Sequence, residues 1–465
     1  MLYYFPKFFS TRAIICYVVT LALASLIFYN HALPFQFMLF GLVPVCVFFV
    51  FGNRLTMEWQ RFNPRFFTKK LFVTALIIRL VYTVFIYFYY IEMTGSPHAY
   101  HAGDEMLYTY IGTLWRDFGM TETASLLKEY RIAFSDSGYC WWLSLEGLLF
   151  GKSVMLPRIV KCFIDAFSCL LMYNVAKRNF GEEVGRMTAV FCMLMPNMWY
   201  YCGVTLKETE MTFLTILFVE RADLVLHSPK IKLTGMIMPA LCVLAMFTFR
   251  TALAAVMFAA LAGALVLSSG KQLQAWKKVL YGAVFAVWMF ATVGVEIVQE
   301  TRELWSGRTD ANYEWRANSK NGNEFARYAS AAVFAPAIFT IPFSSIVETP
   351  GQENQMMMNG ANFIKNIMSG LTIFAMFVLL LSGEWRKHVL PVALTCGYLV
   401  VLVFSNFAHS ERFHFPILAF ELMFAAYGVS QLKNKHKRWF AIWLVFVCVA
   451  NIAWAYVKLA GRGMV

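Results

Sequence analysis

Long apolar stretches joined by short basic loops run through this chain of 465 residues and constrain its fold more than any other feature. A stretch of about 20 apolar residues matches the hydrocarbon core of a bilayer. Only helices and closed barrels satisfy their backbone hydrogen bonds there, and uninterrupted stretches of this length are typical of helices. Charged residues make up 14% of the chain, against about 25% in a soluble domain. The sequence therefore predicts an all-α polytopic membrane protein.

Thirteen membrane-spanning helices are predicted, at residues 12–30, 33–51, 71–92, 155–176, 187–205, 208–226, 233–249, 251–269, 279–299, 361–382, 388–408, 415–431 and 438–458. The loop 52–70 carries five basic residues and one acid, which is typical of a cytoplasmic loop. With this loop inside, the other short basic loops also lie inside. Residues 93–154 and 300–360 then form two outer loops, in which we expect amphipathic helices.

The net charge of +13 is explained by basic loops that face anionic membrane lipids. Nucleic-acid binding, the other common reason for a basic chain, is not indicated. We expect one membrane domain over residues 1–465. Cys140 and Cys202 both fall on or near the outer side, where a single disulfide between them is an open alternative.

An acidic pair opens the first outer loop, within the segment His98-Ala-Tyr-His101-Ala-Gly-Asp104-Glu105-Met-Leu-Tyr108. Asp104 is placed to be the N-cap of a following helix. Its alternative role is that of a general base held at the membrane surface. His98, His101 and Asp104 also recur at three-residue steps, so a divalent metal site is a further alternative.

Five basic residues are predicted at the outer face, against the usual distribution of charge: Arg158, Lys161, Lys207, Arg250 and Arg412. A phosphate group is the simplest ligand that explains cations in this position. Two short segments add further polar residues beside them, Lys207-Glu208 and His409-Ser-Glu411-Arg412.

Several motifs, taken in order, resemble the GT-C superfamily of integral-membrane glycosyltransferases, and most closely its bacterial branch related to protein O-mannosyltransferases and aminoarabinose transferases. They are Asp104-Glu105-x-x-Tyr108, the stretch 149–158 that ends in Pro157-Arg158, the basic turn 173–181, Pro196 with Tyr200-Tyr201 and Lys207-Glu208, and the segment Glu411-Arg412-Phe-His-Phe-Pro416. The clearest similarity covers residues 71–226 and the stretch around 409–420.

The resemblance implies a polyprenyl-phosphate-linked sugar donor and a glycan, lipid or protein acceptor. It also implies a reaction on the periplasmic face of the bacterial inner membrane. Asp104 is then the first candidate for the catalytic carboxylate and Glu105 the second, acting as base or orienting a metal; no other cofactor is indicated. The candidates for substrate binding are Tyr108, Arg158, Lys207, Glu208, Arg250, His409, Glu411 and Arg412.

One positioned carboxylate with direct displacement favours inversion at the sugar's anomeric carbon. Two other functions stay open. A surface-polysaccharide polymerase or ligase with a lipid-pyrophosphate-linked glycan also resembles this superfamily. A transporter of lipid-linked sugar would use acids within the membrane, although inverted repeats are not apparent. The acids in question are Asp165, Glu220, Asp223, Glu296 and Glu421.

Overall fold

The computed structural model describes residues 3–119, 129–130, 134–228, 233–267, 335–404 and 408–464. Within them the regular structure is helical, apart from one isolated β-bridge between Ala32 and Val347. The helices are α1 (Lys7–Ile27), α2 (Phe35–Glu58), α3 (Pro64–Thr94), α4 (Gly103–Phe118), α5 (Phe134–Phe150), α6 (Met155–Phe180), α7 (Glu182–Leu194), α8 (Pro196–Cys202), α9 (Glu208–Leu226), α10 (Ile237–Phe249), α11 (Thr251–Leu267), α12 (Glu353–Met357), α13 (Asn359–Ser382), α14 (Val389–Phe404), α15 (Glu411–Ser430) and α16 (His436–Ala460).

Seven helices in the described part of the chain are long and apolar enough to cross a bilayer: α1, α2 with its extension to Arg61, α3, α6, α13, α15 and α16. Three shorter apolar helices, α10, α11 and α14, match further predicted spans. The prediction of an all-α polytopic membrane protein is confirmed. The predicted span 279–299 and residues 300–334 of the second outer loop lie outside the described residues.

The predicted span 187–205 is wrong as a single helix. The chain forms α7 and then α8, with an extended residue, Met195, between them. Pro196 causes the break, because proline has no backbone N–H and disfavours the helical conformation in the residue before it. It is instead accommodated as the first residue of α8, where a missing N–H costs nothing.

The loops gather at two ends of the helix bundle, which we call the inner and outer ends after their predicted sides. At the inner end, Arg186 donates to the carbonyls of Trp59, Gln60 and Phe62 at 2.8, 3.1 and 2.7 Å. At the outer end, Arg158 donates to the carbonyl of Pro97 at 2.7 Å. The contacts thus group loops that the charge pattern assigned to the same side.

Helix α15 occupies the centre of the bundle. It packs against α6, α7, α9, α13 and α14, and nearly all of its residues are buried. By contrast, α1, α3 and α16 expose large apolar side chains such as Leu26, Val81 and Trp439, as helices facing lipid do. The centre of the bundle therefore fixes Arg412, in the first turn of α15.

The acids considered as parts of a transport path have partners within the bundle. Asp165 pairs with Arg79 between α6 and α3, and Glu421 lies 3.6 Å from Lys365. Glu220 and Asp223 both pair with Arg178, at 3.3 and 2.7 Å. Glu296 lies outside the described residues. Each of these four described acids thus pairs with a cation on another helix.

The disulfide considered between Cys140 and Cys202 does not form, because both are free thiols. Cys140 lies where α5 packs against Gly112 of α4. The thiol of Cys202 instead donates to the carbonyl of Met198 at 3.2 Å. The two cysteines are thus engaged with different neighbours.

Candidate active site

Asp104 and Glu105 lie in the first turn of α4, and their side chains have opposite environments. The N-cap is Ala102, so the prediction that Asp104 caps this helix is wrong. Acids in a first turn are nevertheless favoured by the helix dipole. The Asp104 side chain is 56% exposed, whereas that of Glu105 is 2% exposed. Only Asp104 is presented to a substrate.

Glu105 holds two outer segments together. Its carboxylate accepts hydrogen bonds from the backbone N–H of Ala99, at 2.8 Å, and of Thr205. Burial opposes its ionisation, but His98, the charge of Arg158 at 3.8 Å and the two amides outweigh burial and lower the pKa of Glu105. Through these contacts Glu105 positions the segments that contain Ala99 and Thr205.

Arg158 and Lys161 are buried rather than extended towards the membrane surface. Arg158 donates to the Thr205 hydroxyl at 3.4 Å, and Lys161 donates to the carbonyls of Val204, at 2.8 Å, and Leu206. Both cations therefore fix the loop that leads into α9, so their first partners are protein atoms.

Arg412 links the exposed acid to the bundle. Its guanidinium donates through Nη1 to Asp104 and through Nε to Glu208. Arg250 approaches the same Glu208 oxygen at 4.0 Å and lies over the Phe413 ring, 4.2 Å from its centroid. The structure thus brings together four predicted site residues that are far apart in the sequence.

Arg250 is held in place by its neighbours. It is the single extended residue between α10 and α11, and its Nη1 donates to the hydroxyl of Tyr398 at 3.3 Å. The side chain of Arg250 is 12% exposed and that of Arg412 is 21% exposed. The bonds described use only part of the five N–H donors of each guanidinium, so both retain donors for an anion.

Lys207 is engaged by protein groups on every side of its ammonium group. Its ammonium group donates to Asp136 and to the carbonyls of Ser135, at 3.0 Å, and Phe249. An ammonium group has three donors, and these three acceptors use them all. Burial and the nearby charge of Arg250 lower the pKa of Lys207, while Asp136 opposes them. Lys207 therefore joins α5 to the C-terminus of α10 and is not placed to bind a donor phosphate.

Tyr108 completes this part of the site. Its hydroxyl donates to Asp136 at 3.1 Å, and its ring packs edge-on against Tyr139. Helices α4 and α5 run parallel here, so their N-terminal turns lie together. Asp136 was not singled out in the sequence, although it precedes an aromatic stretch on the predicted outer side. Burial opposes its ionisation, but Lys207 and Tyr108 lower the pKa of Asp136.

The possible metal site at His98, His101 and Asp104 is not assembled. The His98 ring faces Glu105 at 3.7 Å, the His101 ring faces Glu353 at 3.2 Å, and Asp104 faces Arg412. Among the described residues, no group of three His, Cys, Asp or Glu side chains is arranged to hold a metal ion.

His409 lies in the turn before α15, and Glu411 is the first residue of that helix.

Carboxylates pair with every cation predicted at the outer face. Each of the five lies within 4.0 Å of a carboxylate: Arg158, Lys161, Lys207, Arg250 and Arg412 against Glu105, Glu210, Asp136, Glu208 and Asp104. The surplus of cations expected from the sequence is therefore matched by acids. Arg158, Lys161 and Lys207 are almost inaccessible, so of these five described cations a phosphate could reach Arg250 and Arg412.

A model of the Alg9-like mannosyltransferase family matches residues 120–301 and 356–460, more than half of the chain. The chain belongs to this family. It is a membrane glycosyltransferase of the GT-C class, as the sequence motifs predicted, but the match does not single out the bacterial O-mannosyltransferase and aminoarabinose transferase branch. No curated protein and no solved structure matches the chain. The matched segments include Arg250 and Arg412, while Asp104 precedes the first of them.

Loss of the Lys207 ammonium group should destabilise the enzyme. Lys207→Ala leaves Asp136 and the end of α10 without their buried partner, and breaking a buried pair costs about 3–5 kcal/mol. We expect a lower melting temperature and an unchanged donor affinity in the folded fraction. Lys387→Ala, which removes an exposed lysine at the inner end, is the control. Reduced donor affinity with a wild-type melting curve would return Lys207 to the binding site.

Proposed function

We propose that this enzyme transfers a hexose, with mannose the first candidate from its family, from a polyprenyl-phosphate-linked donor to a hydroxyl of a glycan, lipid or protein acceptor. One observation carries the proposal. An exposed carboxylate, Asp104, and two partly exposed guanidinium groups, Arg250 and Arg412, meet at the outer end of an apolar helix bundle. A donor with a membrane-bound chain, a phosphate and a sugar has the chemistry to fit this arrangement.

In the proposed reaction, the acceptor hydroxyl attacks the anomeric carbon and gives its proton to Asp104. The bond from this carbon to the phosphate oxygen breaks, and its electron pair passes to the phosphate. Arg412 and Arg250 stabilise the charge that develops on the leaving group, an effect that is larger in the transition state than in the ground state. A phosphate also competes with Asp104 for Arg412, which leaves the carboxylate available as a base.

Inversion of the anomeric carbon is the stereochemistry that this geometry supports. Retention through two carboxylates requires a nucleophile on the face of the sugar opposite the acid. Glu105 is buried against two backbone amides, and Asp136 is engaged by Lys207 and Tyr108. Of these three carboxylates Asp104 is the most exposed, in accord with a single displacement.

We place the reaction on the periplasmic face of a bacterial inner membrane, because the basic loops at the inner end favour the cytoplasm. His101→Cys should then react with a membrane-impermeant maleimide in intact cells, and Arg65→Cys only after permeabilisation. Both positions are exposed, at opposite ends of the bundle. The unsubstituted protein gives the background of the ten native cysteines. Equal labelling of both variants in intact cells would contradict this orientation.

Reconstitution into liposomes tests the function itself. The enzyme should form a new glycosidic bond from a polyprenyl-phosphate mannose and an added acceptor mixture, detected by mass spectrometry of the products. Movement of labelled donor across the bilayer without a new bond would instead identify a transporter. Turnover only with lipid-pyrophosphate-linked glycans would identify a polymerase or ligase.

A further inference from the structure

A small open cavity of about 180 Å³, with a mixed polar and apolar lining, lies between α4, α5 and the turn that leads into α6. Its lining includes Thr109, Thr113 and Arg116 along one face of α4, together with Lys152, Ser153 and Thr205. The proposed catalytic and phosphate-binding residues do not line it in the described part of the chain. Glu105 accepts a hydrogen bond from the backbone N–H of Thr205 and lies between this cavity and the candidate active site.

The chemistry of this cavity favours an anion. Its described lining contains two cations and four hydroxyl groups. The hydroxyls of Thr109 and Thr113 donate to backbone carbonyls of α4, whereas those of Ser153 and Thr205 accept hydrogen bonds and keep their O–H for a ligand. A sugar has several O–H donors that need acceptors, whereas a phosphate offers only strong acceptors for N–H and O–H groups. Arg116 uses the N–H of Nε and one N–H of Nη2 on Asp117, at 2.8 and 2.7 Å, so both N–H groups of Nη1 and the second of Nη2 remain for a ligand.

The two cations are positioned by glycines. A Cβ atom at Gly147 would lie 3.2 Å from Cδ of Arg116, so the arginine stem packs directly against the backbone of α5. Gly151 has a φ of +67°, a left-handed conformation that ends α5 and leads into the turn containing Lys152. These glycines let the arginine and the lysine approach the cavity from two sides.

The surface beside the cavity is apolar. The last turns of α5 expose Leu145, Leu148 and Leu149, and the first turn of α6 exposes Leu156. Apolar side chains beside basic groups are typical of helices that lie in the interfacial region of a bilayer. A ligand that occupies both the cavity and the apolar surface has a phosphate in the cavity and hydrocarbon chains along these leucines.

We propose that this cavity binds the phosphate group of a second membrane lipid, distinct from the lipid-linked sugar donor. The site goes beyond the proposed transfer reaction and does not depend on it. Its ligand is recognised by Arg116, Lys152 and the hydroxyls of Ser153 and Thr205, while its chains remain in the bilayer.

Thermal stabilisation in detergent tests the proposal, because a ligand that binds only the folded protein raises its melting temperature. With the donor site filled by saturating polyprenyl phosphate, phosphatidic acid should stabilise the wild type in a saturable manner. Diacylglycerol, which lacks the phosphate, should not, and inorganic phosphate should act only at much higher concentration. In Lys152→Gln the midpoint concentration of phosphatidic acid should rise about tenfold or more, as expected for the loss of one charge-assisted hydrogen bond.

Matched variants separate this site from general charge effects and from the donor site. Arg116→Gln/Lys152→Gln should show no saturable response, whereas Arg65→Gln/Lys69→Gln removes the same charges at the inner end and should respond as wild type. Arg412→Ala should also keep the wild-type midpoint. A wild-type response from Arg116→Gln/Lys152→Gln, loss of the response in Arg412→Ala, or equal potency of inorganic phosphate would each overturn the proposal. Lys152→Gln changes only an exposed turn residue, so it preserves the test if the double variant does not fold.

Discussion

Asp104→Asn is expected to lose nearly all turnover and to keep the fold. The substitution keeps the size of the side chain and an oxygen that accepts from Arg412, but it removes the basicity. General-base catalysis contributes about 10²–10⁴-fold to a rate, so we expect a loss of that order. Initial rates at saturating donor, measured with melting curves, test this. The matched control is Asp117→Asn, an exposed acid on the same helix. Wild-type turnover in Asp104→Asn would rule out Asp104 as the base.

Glu105→Gln distinguishes the two members of the acidic pair. Its carboxylate is buried and accepts from the amides of Ala99 and Thr205, so the neutral side chain should weaken the contact between these segments. The expected result is a lower melting temperature with a smaller loss of turnover than in Asp104→Asn. A larger loss of turnover at Glu105, without loss of stability, would reverse the two roles.

Arg412→Ala is expected to weaken donor use by roughly 10- to 150-fold, from about 1.5–3 kcal/mol for a hydrogen bond to a charged group. Arg412 offers a planar fork that suits phosphate, so Arg412→Lys should recover only part of the loss. Kinetic titration of the polyprenyl-phosphate donor measures the effect, with melting curves in parallel.

Arg178→Ala is the matched control for Arg412→Ala. Arg178 also holds two acids, Glu220 and Asp223, but at the inner end. Its loss should lower stability without changing the apparent affinity for the donor. If both arginine variants change donor use equally, or if Arg412→Ala leaves it unchanged, Arg412 only joins helices.

The helices and the grouping of the loops were predictable because both follow from apolar length and from the placement of basic residues. Asp104, Arg250 and Arg412 could be assigned to one region by side alone, without knowledge of their contacts. The break at Met195 was missed because the apolar pattern continues across Pro196. The sequence pattern thus predicts the side of the membrane on which a residue lies more accurately than it predicts the backbone conformation.

The partners of the charged residues could not be predicted. Lys207 and Asp136 are 71 positions apart, and they meet because the start of α5 and the residue that precedes α9 both lie beside the end of α10. From the number of cations alone we predicted a phosphate as their common ligand. In the folded protein each cation instead lies beside a carboxylate. The difference between Asp104 and Glu105 is of the same kind, because adjacent residues on a helix face different directions.

Among the described residues, each of the five predicted outer-face cations is paired with a carboxylate, and this pairing bears on how a donor reaches the enzyme. A cleft of one sign attracts charged molecules from a distance and makes association depend strongly on ionic strength. A neutral arrangement exerts little such attraction beyond its own contacts. The capture rate should therefore follow the density of donor in the surrounding leaflet and its lateral diffusion, and should change little with the salt concentration of the medium.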